Sequence, residues 1–181
     1  MSRIGKLPIN VPSAVTVTID GDNLVTVVGP KGTLSEKVNK DITVSQDSGV
    51  LTVTRPSDSK PHKAMHGLYR ALINNMVVGV TDGFAKTLVL EGVGCRAQVD
   101  GPKLTLSVGY SHPVEIFAPE GISFEAPTVD HVIVRGVNKQ HVGAIAADIR
   151  AVRKPNPYPG GRSIRYSDER IRRKEGKSGK K

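Results

Sequence analysis

The sequence contains one unit that occurs twice, and this internal repeat constrains the fold more than any other feature. A shift of 80 positions aligns the two halves without a gap over about fifty residues. Apolar positions agree under this shift, as at Val53 with Ile133, and several residues are identical: Asp20-Gly21 with Asp100-Gly101, Leu24 with Leu104, Val28 with Val108, Gly29 with Gly109, and Arg70-Ala71 with Arg150-Ala151. Two copies at this long period predict a pair of similar domains rather than a solenoid.

Each copy changes from a strand-like to a helix-like pattern. In the first copy, alternating apolar residues around an Asp-Gly turn signal predict a β-hairpin, and two short strands follow. The four strands are expected at 15–19, 24–28, 42–45 and 50–54. Helical spacing of apolar residues then predicts a helix over 63–78, with Ser57, Asp58 and Ser59 as candidate N-caps.

The second copy predicts the same arrangement. Its strands are expected near 86–90, 96–99, 104–108 and 132–135, and its helix from about Lys139 to Arg153. The chain is therefore expected to be an α+β protein with two tandem similar domains, each a small antiparallel sheet packed with one main helix, followed by a basic extension. Neither period continues through 79–83, so the domains are expected at 1–82 and 83–166, with a basic tail at 167–181.

Composition indicates the class of protein. A hydrophobic fraction of 38% is enough to bury a core, and the single Cys95 cannot form an internal disulfide. The N-terminus has no continuous apolar signal segment, and no later segment approaches the roughly 18 apolar residues of a membrane span. We therefore expect a soluble intracellular protein with no membrane partner.

The histidines do not form a recognisable metal or catalytic motif. His62 and His66 stand four positions apart, but no Glu follows the first of them as in a zinc-protease helix, so surface polarity or a contact with a neighbour is the favoured interpretation. Ser111 and His112 are adjacent and thus poorly placed to act as nucleophile and base. No metal site is predicted.

Two further candidates favour structural roles. Cys95 precedes Arg96, yet a small residue on a strand explains it better than a reactive thiol. The loop Gly29-Pro-Lys-Gly-Thr33 lacks the order of Gly, Lys and Thr, and the following helix, that a phosphate-binding loop requires. We therefore predict no catalytic residue, no enzyme activity, no cofactor and no small-molecule substrate.

The net charge is confined to the C-terminal end. Residues 1–149 carry 14 basic and 14 acidic residues, whereas 150–181 carry 12 basic residues against Asp168, Glu169 and Glu175, which accounts for the whole formal charge of +9. A neutral body with a strongly basic end predicts a folded module that binds polyphosphate. Without a DNA-recognition helix or zinc spacing, recognition of folded RNA is favoured.

The segment from Pro155 to Tyr166 offers several kinds of RNA contact. Its prolines favour an ordered loop, its Gly-Gly pair lets backbone N–H groups approach phosphates, arginines can form bidentate phosphate contacts, and tyrosines can stack on bases. The predicted RNA-binding residues are Arg150, Arg153, Lys154, Tyr158, Gly160, Gly161, Arg162, Arg165, Tyr166, Arg170, Arg172, Arg173 and Lys174. If about six cations neutralise phosphates, log affinity should fall with log salt at a slope near −5.

Three other interpretations stay open on the residues alone. The basic end could be a solubilising tail, the protein could be a module that binds an acidic protein partner, or it could be a hydrolase without a recognisable motif. Each lacks a specific residue pattern in the sequence, whereas the basic, Gly-Pro-Tyr-rich segment favours RNA.

Several long motifs in order resemble the bacterial family of large-subunit ribosomal protein L6 over essentially the whole chain. These are MSRIGK at the start, GPKG at 29–32, HGLYRALINNMVVGV at 66–80, GYSHPV at 109–114, KQHVGAIAADIRAVRKP at 139–155 and IRY at 164–166. The resemblance implies two related α+β domains on the ribosome. It also implies that the C-terminal domain binds large-subunit rRNA near the sarcin-ricin loop, beside neighbouring ribosomal proteins where translational GTPases dock.

The chain departs from that family in the segment expected to bind RNA. The family usually has Pro-Glu/Asp-Pro-Tyr-Lys-Gly-Lys-Gly here, whereas this chain has Pro159 in place of the first Lys and one extra residue before its Ile-Arg-Tyr. The phosphate-binding role is therefore assigned to Arg162 by proximity. Cys95 stands where the family commonly has an aromatic residue, which indicates a packing position.

Overall fold

The computed structural model describes residues 3–158 and 160–172. The chain divides into two compact units, of which the first extends to Gly83 and includes Val137–Lys139. The second comprises Phe84–Gly136 and the chain from Gln140 onward. The predictions for Pro159, Arg173 and Lys174, and for the tail beyond them, lie outside the described residues.

The first unit contains two three-stranded antiparallel sheets and one helix. Its sheets have the strand orders β2-β3-β4 and β1-β6-β5. The elements are β1 (Ile9–Asn10), β2 (Thr16–Ile19), β3 (Leu24–Gly29), β4 (Gly32–Lys37), β5 (Thr43–Asp47), β6 (Val50–Thr54) and α1 (Lys60–Thr81). Val25, Leu51 and Ile73, from β3, β6 and α1, are fully buried in one common core.

The second unit has a three-stranded sheet, a four-stranded sheet and one helix. The sheets have the orders β10-β9-β8 and β11-β12-β7-β13, and all their pairs are antiparallel. The elements are β7 (Phe84–Glu91), β8 (Arg96–Asp100), β9 (Lys103–Ser107), β10 (Val114–Phe117), β11 (Ile122–Thr128), β12 (His131–Gly136), α2 (Lys139–Val152) and β13 (Ser163–Tyr166). Leu88, Leu104 and Ile149 are fully buried in its core.

These elements confirm the α+β class and the two similar units, but each unit has two sheets where the sequence predicts one. The strands that the sequence did not predict are β1, β4, β10, β11 and β13. β4 has no fully buried residue, and β13 places the adjacent Ser163 and Ile164 both in the interior. Neither therefore shows the regular apolar alternation on which strand prediction depends.

The first helix is longer than predicted because Gly79 does not interrupt it. Ser59 is its N-cap, and the hydroxyl of Ser59 accepts a hydrogen bond from the backbone N–H of His62. α1 continues through the buried Gly79 to Thr81, whose hydroxyl donates to the carbonyls of Val77 and Val78 at 3.0 Å.

The ungapped register between the two repeats is wrong in the central strands. Val28 is exposed whereas Val108 is buried, and Leu24 is half-buried whereas Leu104 is fully buried. Val17 and Ala97 are both buried and do keep the 80-residue shift. Since successive strand residues point to opposite faces, the turn after β2 and the turn after β8 must differ in length by one residue. Val17 pairs with Val27, whereas its counterpart Ala97 pairs with Leu106, so the second hairpin is shorter by one residue.

His66 is a buried structural residue, so of the two expected roles, surface polarity or contact with a neighbour, the first is wrong for His66. Arg55 Nη1 donates to its Nδ1 at 2.7 Å, so Nε2 carries the proton and donates to the Val53 carbonyl at 2.8 Å. Arg55 also pairs with Asp58 and holds the pKa of that carboxyl below its usual value. His62 instead bonds to Ser57. In the described part of the chain, no three His, Cys, Asp or Glu side chains are grouped to hold a metal.

We predict that Gly29→Ala destabilises the protein by about 1–3 kcal/mol, the usual cost of overpacking. A Cβ at Gly29 would lie 2.6 Å from Val80 Cγ2 and 2.9 Å from the Val80 carbonyl oxygen in α1. Gly21→Ala is the matched control, since a Cβ there meets nothing within 4 Å. Urea unfolding of both variants would measure the effect, and equal midpoints for the two would contradict it.

Candidate nucleic-acid interface

The predicted RNA-binding segment is attached to the second unit at both ends. α2 ends at Val152, and the chain returns to the four-stranded sheet as β13, which pairs antiparallel with β7. The side chain of Ile164 is fully buried, and its backbone N–H donates to the Arg153 carbonyl at 2.8 Å. The loop between α2 and β13 is thus closed by a strand rather than left as a free end.

Arg150, in the last turn of α2, forms a bidentate ion pair with Glu169. Its Nε lies 2.8 Å from Glu169 Oε2, and its Nη2 bonds to Glu169 Oε1. The side chains are 30% and 25% exposed. Hydrogen bonding between them raises the pKa of Arg150 and lowers the pKa of Glu169. A phosphate at Arg150 would have to compete with this carboxylate.

Arg165 is also paired with a carboxylate, that of Glu91. Arg165 Nε lies 2.7 Å from Glu91 Oε1, and its Nη1 donates to the backbone carbonyl of Tyr166 at 3.1 Å. Both members of the pair are half-buried. The planar guanidinium is therefore engaged on two sides within the protein, which leaves it less available to a phosphate.

Arg162 is exposed but its side chain lies across two glycines. Its Nε donates to the Val93 carbonyl at 3.0 Å. A Cβ at Gly92 would lie 2.8 Å from Arg162 Cα, and a Cβ at Gly109 would overlap the Arg162 guanidinium. Gly92 and Gly109 also have positive φ angles, of 112° and 84°, so side chains there are excluded both by space and by conformation.

Two tyrosine rings pack against cations of the protein itself. Lys86 Nζ lies 5.0 Å, and Arg150 Cζ 5.6 Å, from the centroid of the half-buried Tyr166 ring. Arg153 Cζ lies 5.0 Å from the centroid of Tyr110, whose hydroxyl donates to the Val152 carbonyl. Sequence reasoning missed Lys86 and Tyr110, because only the β7–β13 pairing and the end of α2 bring them to this segment.

A second group of predicted residues faces solvent. The exposed side chains are those of Lys154, Tyr158, Arg170 and Arg172, and the backbone of Gly160 is also exposed. Gly160 has a φ of 76°, and a Cβ there would meet nothing within 4 Å. Gly161 is half-buried, and a Cβ there would lie 2.8 Å from Asn156 Nδ2. The side chain of Tyr158 is 59% exposed.

A polar cavity adjoins this exposed group. Its volume is about 300 Å³, and its lining residues are Glu91, Gly92, Asn156, Tyr158, Gly160, Gly161 and Ser163. Asn156 Oδ1 accepts a hydrogen bond from the Tyr158 backbone N–H at 3.0 Å, which stabilises the turn beside the cavity. The segment thus combines cations, an exposed aromatic ring and accessible backbone, which are the groups that bind folded RNA.

The other candidate residues lie in structural environments. Burial raises the pKa of the Cys95 thiol, against the opposing charges of Arg162 and Arg153. Ser111 Oγ lies 3.3 Å from Nδ1 of the neighbouring His112, and both are exposed. Lys31 is exposed, its Nζ bonds to the Asp82 carbonyl, and its backbone N–H donates to Val80. Among the described residues, none of the helices combines the length and apolarity needed to span a membrane.

We predict that the Arg150–Glu169 pair makes stability depend on pH. The lowered pKa of Glu169 means that its contribution is complete above the ordinary carboxyl range and is lost as pH falls through the folded-state value. Wild-type protein should exceed Glu169→Gln in stability by about 1 kcal/mol at pH 7. That difference should shrink as pH falls below the ordinary carboxyl range, as measured by urea unfolding at each pH. A pH-independent difference would contradict the prediction.

Comparison with known proteins supports the repeat, and the relatives reported below align with nearly the whole chain. The family model described as "Ribosomal protein L6" matches twice, over residues 11–83 and 91–161, so that the two matches begin 80 residues apart. The "Large ribosomal subunit protein uL6" of Clostridium acetobutylicum is 58% identical over 180 residues, covering 99% of this chain and 100% of that protein.

Other relatives match over the same extent. The uL6 protein of Ruminiclostridium cellulolyticum is 59% identical over 181 residues, covering 100% of this chain and 98% of that protein. The uL6 protein of Clostridium perfringens strain 13 is 57% identical over 180 residues, covering 99% of this chain and 100% of the relative. From these matches we conclude that the chain belongs to the ribosomal protein L6 family.

Proposed function

We propose that this chain binds large-subunit rRNA near the sarcin-ricin loop, in the region where translational GTPases dock, through the exposed cations between Lys154 and Arg172. Family membership supplies the coarser statement: the protein is a structural, non-enzymatic constituent of the large subunit of the bacterial ribosome, in the cytoplasm. Its partners are rRNA and other ribosomal proteins. The proposal concerns where on the rRNA it binds and with which residues.

The observation that carries the proposal is the concentration of exposed positive charge at one end of the second unit. Residues 1–149 are balanced in charge, and the whole formal charge of +9 comes from the residues after them. Within the described part of that end, Lys154, Arg162, Arg170 and Arg172 are exposed. Phosphate neutralisation is the dominant attraction between such a surface and RNA.

The internal ion pairs reduce the number of cations that phosphates can use. Arg150 and Arg165 each have a carboxylate partner, Glu169 and Glu91 respectively. If four exposed cations act, the expected slope of log affinity against log salt is about −3 to −4 for the described residues, shallower than the sequence alone suggests. We therefore expect Arg150 and Arg165 to stabilise the fold of the surface, and the exposed cations to contact the rRNA phosphates.

We predict that Lys154→Gln, Arg170→Gln and Arg172→Gln each weaken rRNA binding about threefold to tenfold and reduce the salt slope by about 1. Arg135→Gln is the matched control, because Arg135 is an exposed cation of β12 in the same unit, paired with Glu125. Binding to a large-subunit rRNA fragment that contains the sarcin-ricin loop would be measured over a range of salt concentrations.

Point substitutions test the surface more sharply than removal of the whole C-terminal end. Truncation at Arg150 would also remove β13 and the fully buried Ile164, so it would disturb the core of the second unit. If the three substitutions left both affinity and slope unchanged, or if Arg135→Gln had an equal effect, the proposed surface would be rejected.

The location on the rRNA can be tested separately in reconstituted large subunits. An iron chelate attached to a cysteine introduced at the exposed Ser167 should cleave rRNA near the sarcin-ricin loop. The control is the same probe at the exposed Gly21 in the first unit. Cleavage near that loop from position 21 alone, or cleavage from position 167 at a distant rRNA domain, would contradict the proposed location.

A further inference from the structure

The chain that follows β13 makes a turn that is bound to two other elements. The Ser167 N–H donates to the Thr87 carbonyl on β7 at 3.1 Å, and the Glu169 N–H donates to the Tyr166 carbonyl at 3.1 Å. The Tyr166 N–H in turn donates to Glu169 Oε2 at 3.3 Å. This turn stands directly before Arg170 and Arg172, two of the exposed cations.

The carboxylate of Glu169 joins this turn to α2. It receives both the bidentate guanidinium of Arg150 and the backbone N–H of Tyr166, and the side chain is three-quarters buried. These three hydrogen bonds hold the carboxylate in one geometry. Rotation of the turn away from α2 would break all of these bonds together.

A second carboxylate ties the same turn to β7. Lys86 Nζ lies 3.1 Å from Asp168 Oδ2 and also 5.0 Å from the centre of the Tyr166 ring. The side chain of Asp168 is 70% exposed, so this pair is weaker than the one made by Glu169. Both acidic residues of the described basic end are therefore used in fixing the turn.

The negative charge of Glu169 could affect RNA binding in two opposite ways. By Coulomb attraction alone, Glu169 repels phosphate, and its neutralisation should tighten RNA binding. If the carboxylate instead holds the following cations in their binding positions, its loss weakens RNA binding. The free energy of binding then includes the cost of ordering the segment that carries them. The geometry around Glu169 favours the second effect, because the carboxylate is already neutralised by Arg150.

We propose that Glu169 is a positioning residue for RNA binding: it fixes the point from which Arg170 and Arg172 reach the rRNA. The inference rests on the proposed function of this surface. It means that an acidic residue within the basic end strengthens the interaction with a polyanion. Asp168 acts in the same direction through the weaker contact with Lys86.

We predict that Glu169→Gln in the full chain weakens binding to the rRNA fragment about fivefold, although it makes the protein more positive. The matched control is Glu120→Gln, which makes the same charge change at an exposed position of the second unit. That variant is expected to bind as tightly as the wild type or slightly more tightly. Far-UV circular dichroism would show that both variants are folded.

A double-mutant cycle separates positioning from a general loss of structure. The second background is the full chain with both Arg170→Gln and Arg172→Gln, so the two cations that Glu169 is proposed to position are absent. In this background Glu169→Gln should no longer weaken binding. An equal loss in both backgrounds would overturn the proposal, since it would show a structural effect independent of those cations.

Comparison of these variants distinguishes failure of the positioning role from failure of the proposed RNA-binding surface. If Glu169→Gln binds rRNA as tightly as the wild type while Arg170→Gln and Arg172→Gln bind more weakly, the positioning role is rejected and the surface stands. If all of them bind normally, both are rejected. Should Glu169→Gln not fold, Asp168→Asn releases the same turn at an exposed pair. It is expected to weaken binding by about twofold, and unchanged binding would overturn the proposal.

Discussion

The antiparallel pairing of β13 with β7 is the interaction on which the organisation of the basic end depends. It buries Ile164 in the core of the second unit and places Arg165 beside Glu91. It also brings Tyr166 within reach of Lys86 and Arg150. Without this strand, the residues after α2 would have little apolar surface to bury and would have to be ordered by the ligand. With it, most of that ordering is provided by folding.

The same pairing explains why acidic and basic residues are interspersed in this part of the chain. A surface composed only of arginines would repel itself when folded, and the arginines nearest the sheet would lack hydrogen-bond acceptors. Glu91 and Glu169 supply those acceptors to Arg165 and Arg150. Cations outside these two pairs, such as Lys154 and Arg170, remain exposed. Pairing with a carboxylate therefore separates Arg150 and Arg165 from the exposed cations.

Much of the fold could be predicted from the sequence, because the hairpin and helix periods occur in both repeats. Two of the strands that the sequence did not predict lack a clear local pattern. β4 has no fully buried residue, and β13 follows a loop that contains Pro and Gly. For the proposed surface, composition indicated a strongly basic end of the chain, but whether each arginine is paired with a carboxylate depends on distant partners. Arg165 and Glu91 are 74 positions apart, and Lys86 and Asp168 are 82 apart. No local pattern predicts such pairs.

The one-residue difference between the turn after β2 and the turn after β8 has a consequence for how a duplicated chain folds. Tandem copies risk exchanging strands, since each copy contains segments that resemble those of the other. Here a β3 strand aligned in the place of β9 by the 80-residue shift would put Thr26 where Leu106 lies buried and Val27 where Ser107 is exposed. An exchanged strand in that alignment would lose apolar burial, and it would have to slide by one residue to bury Val25 and Val27 in place of Leu104 and Leu106.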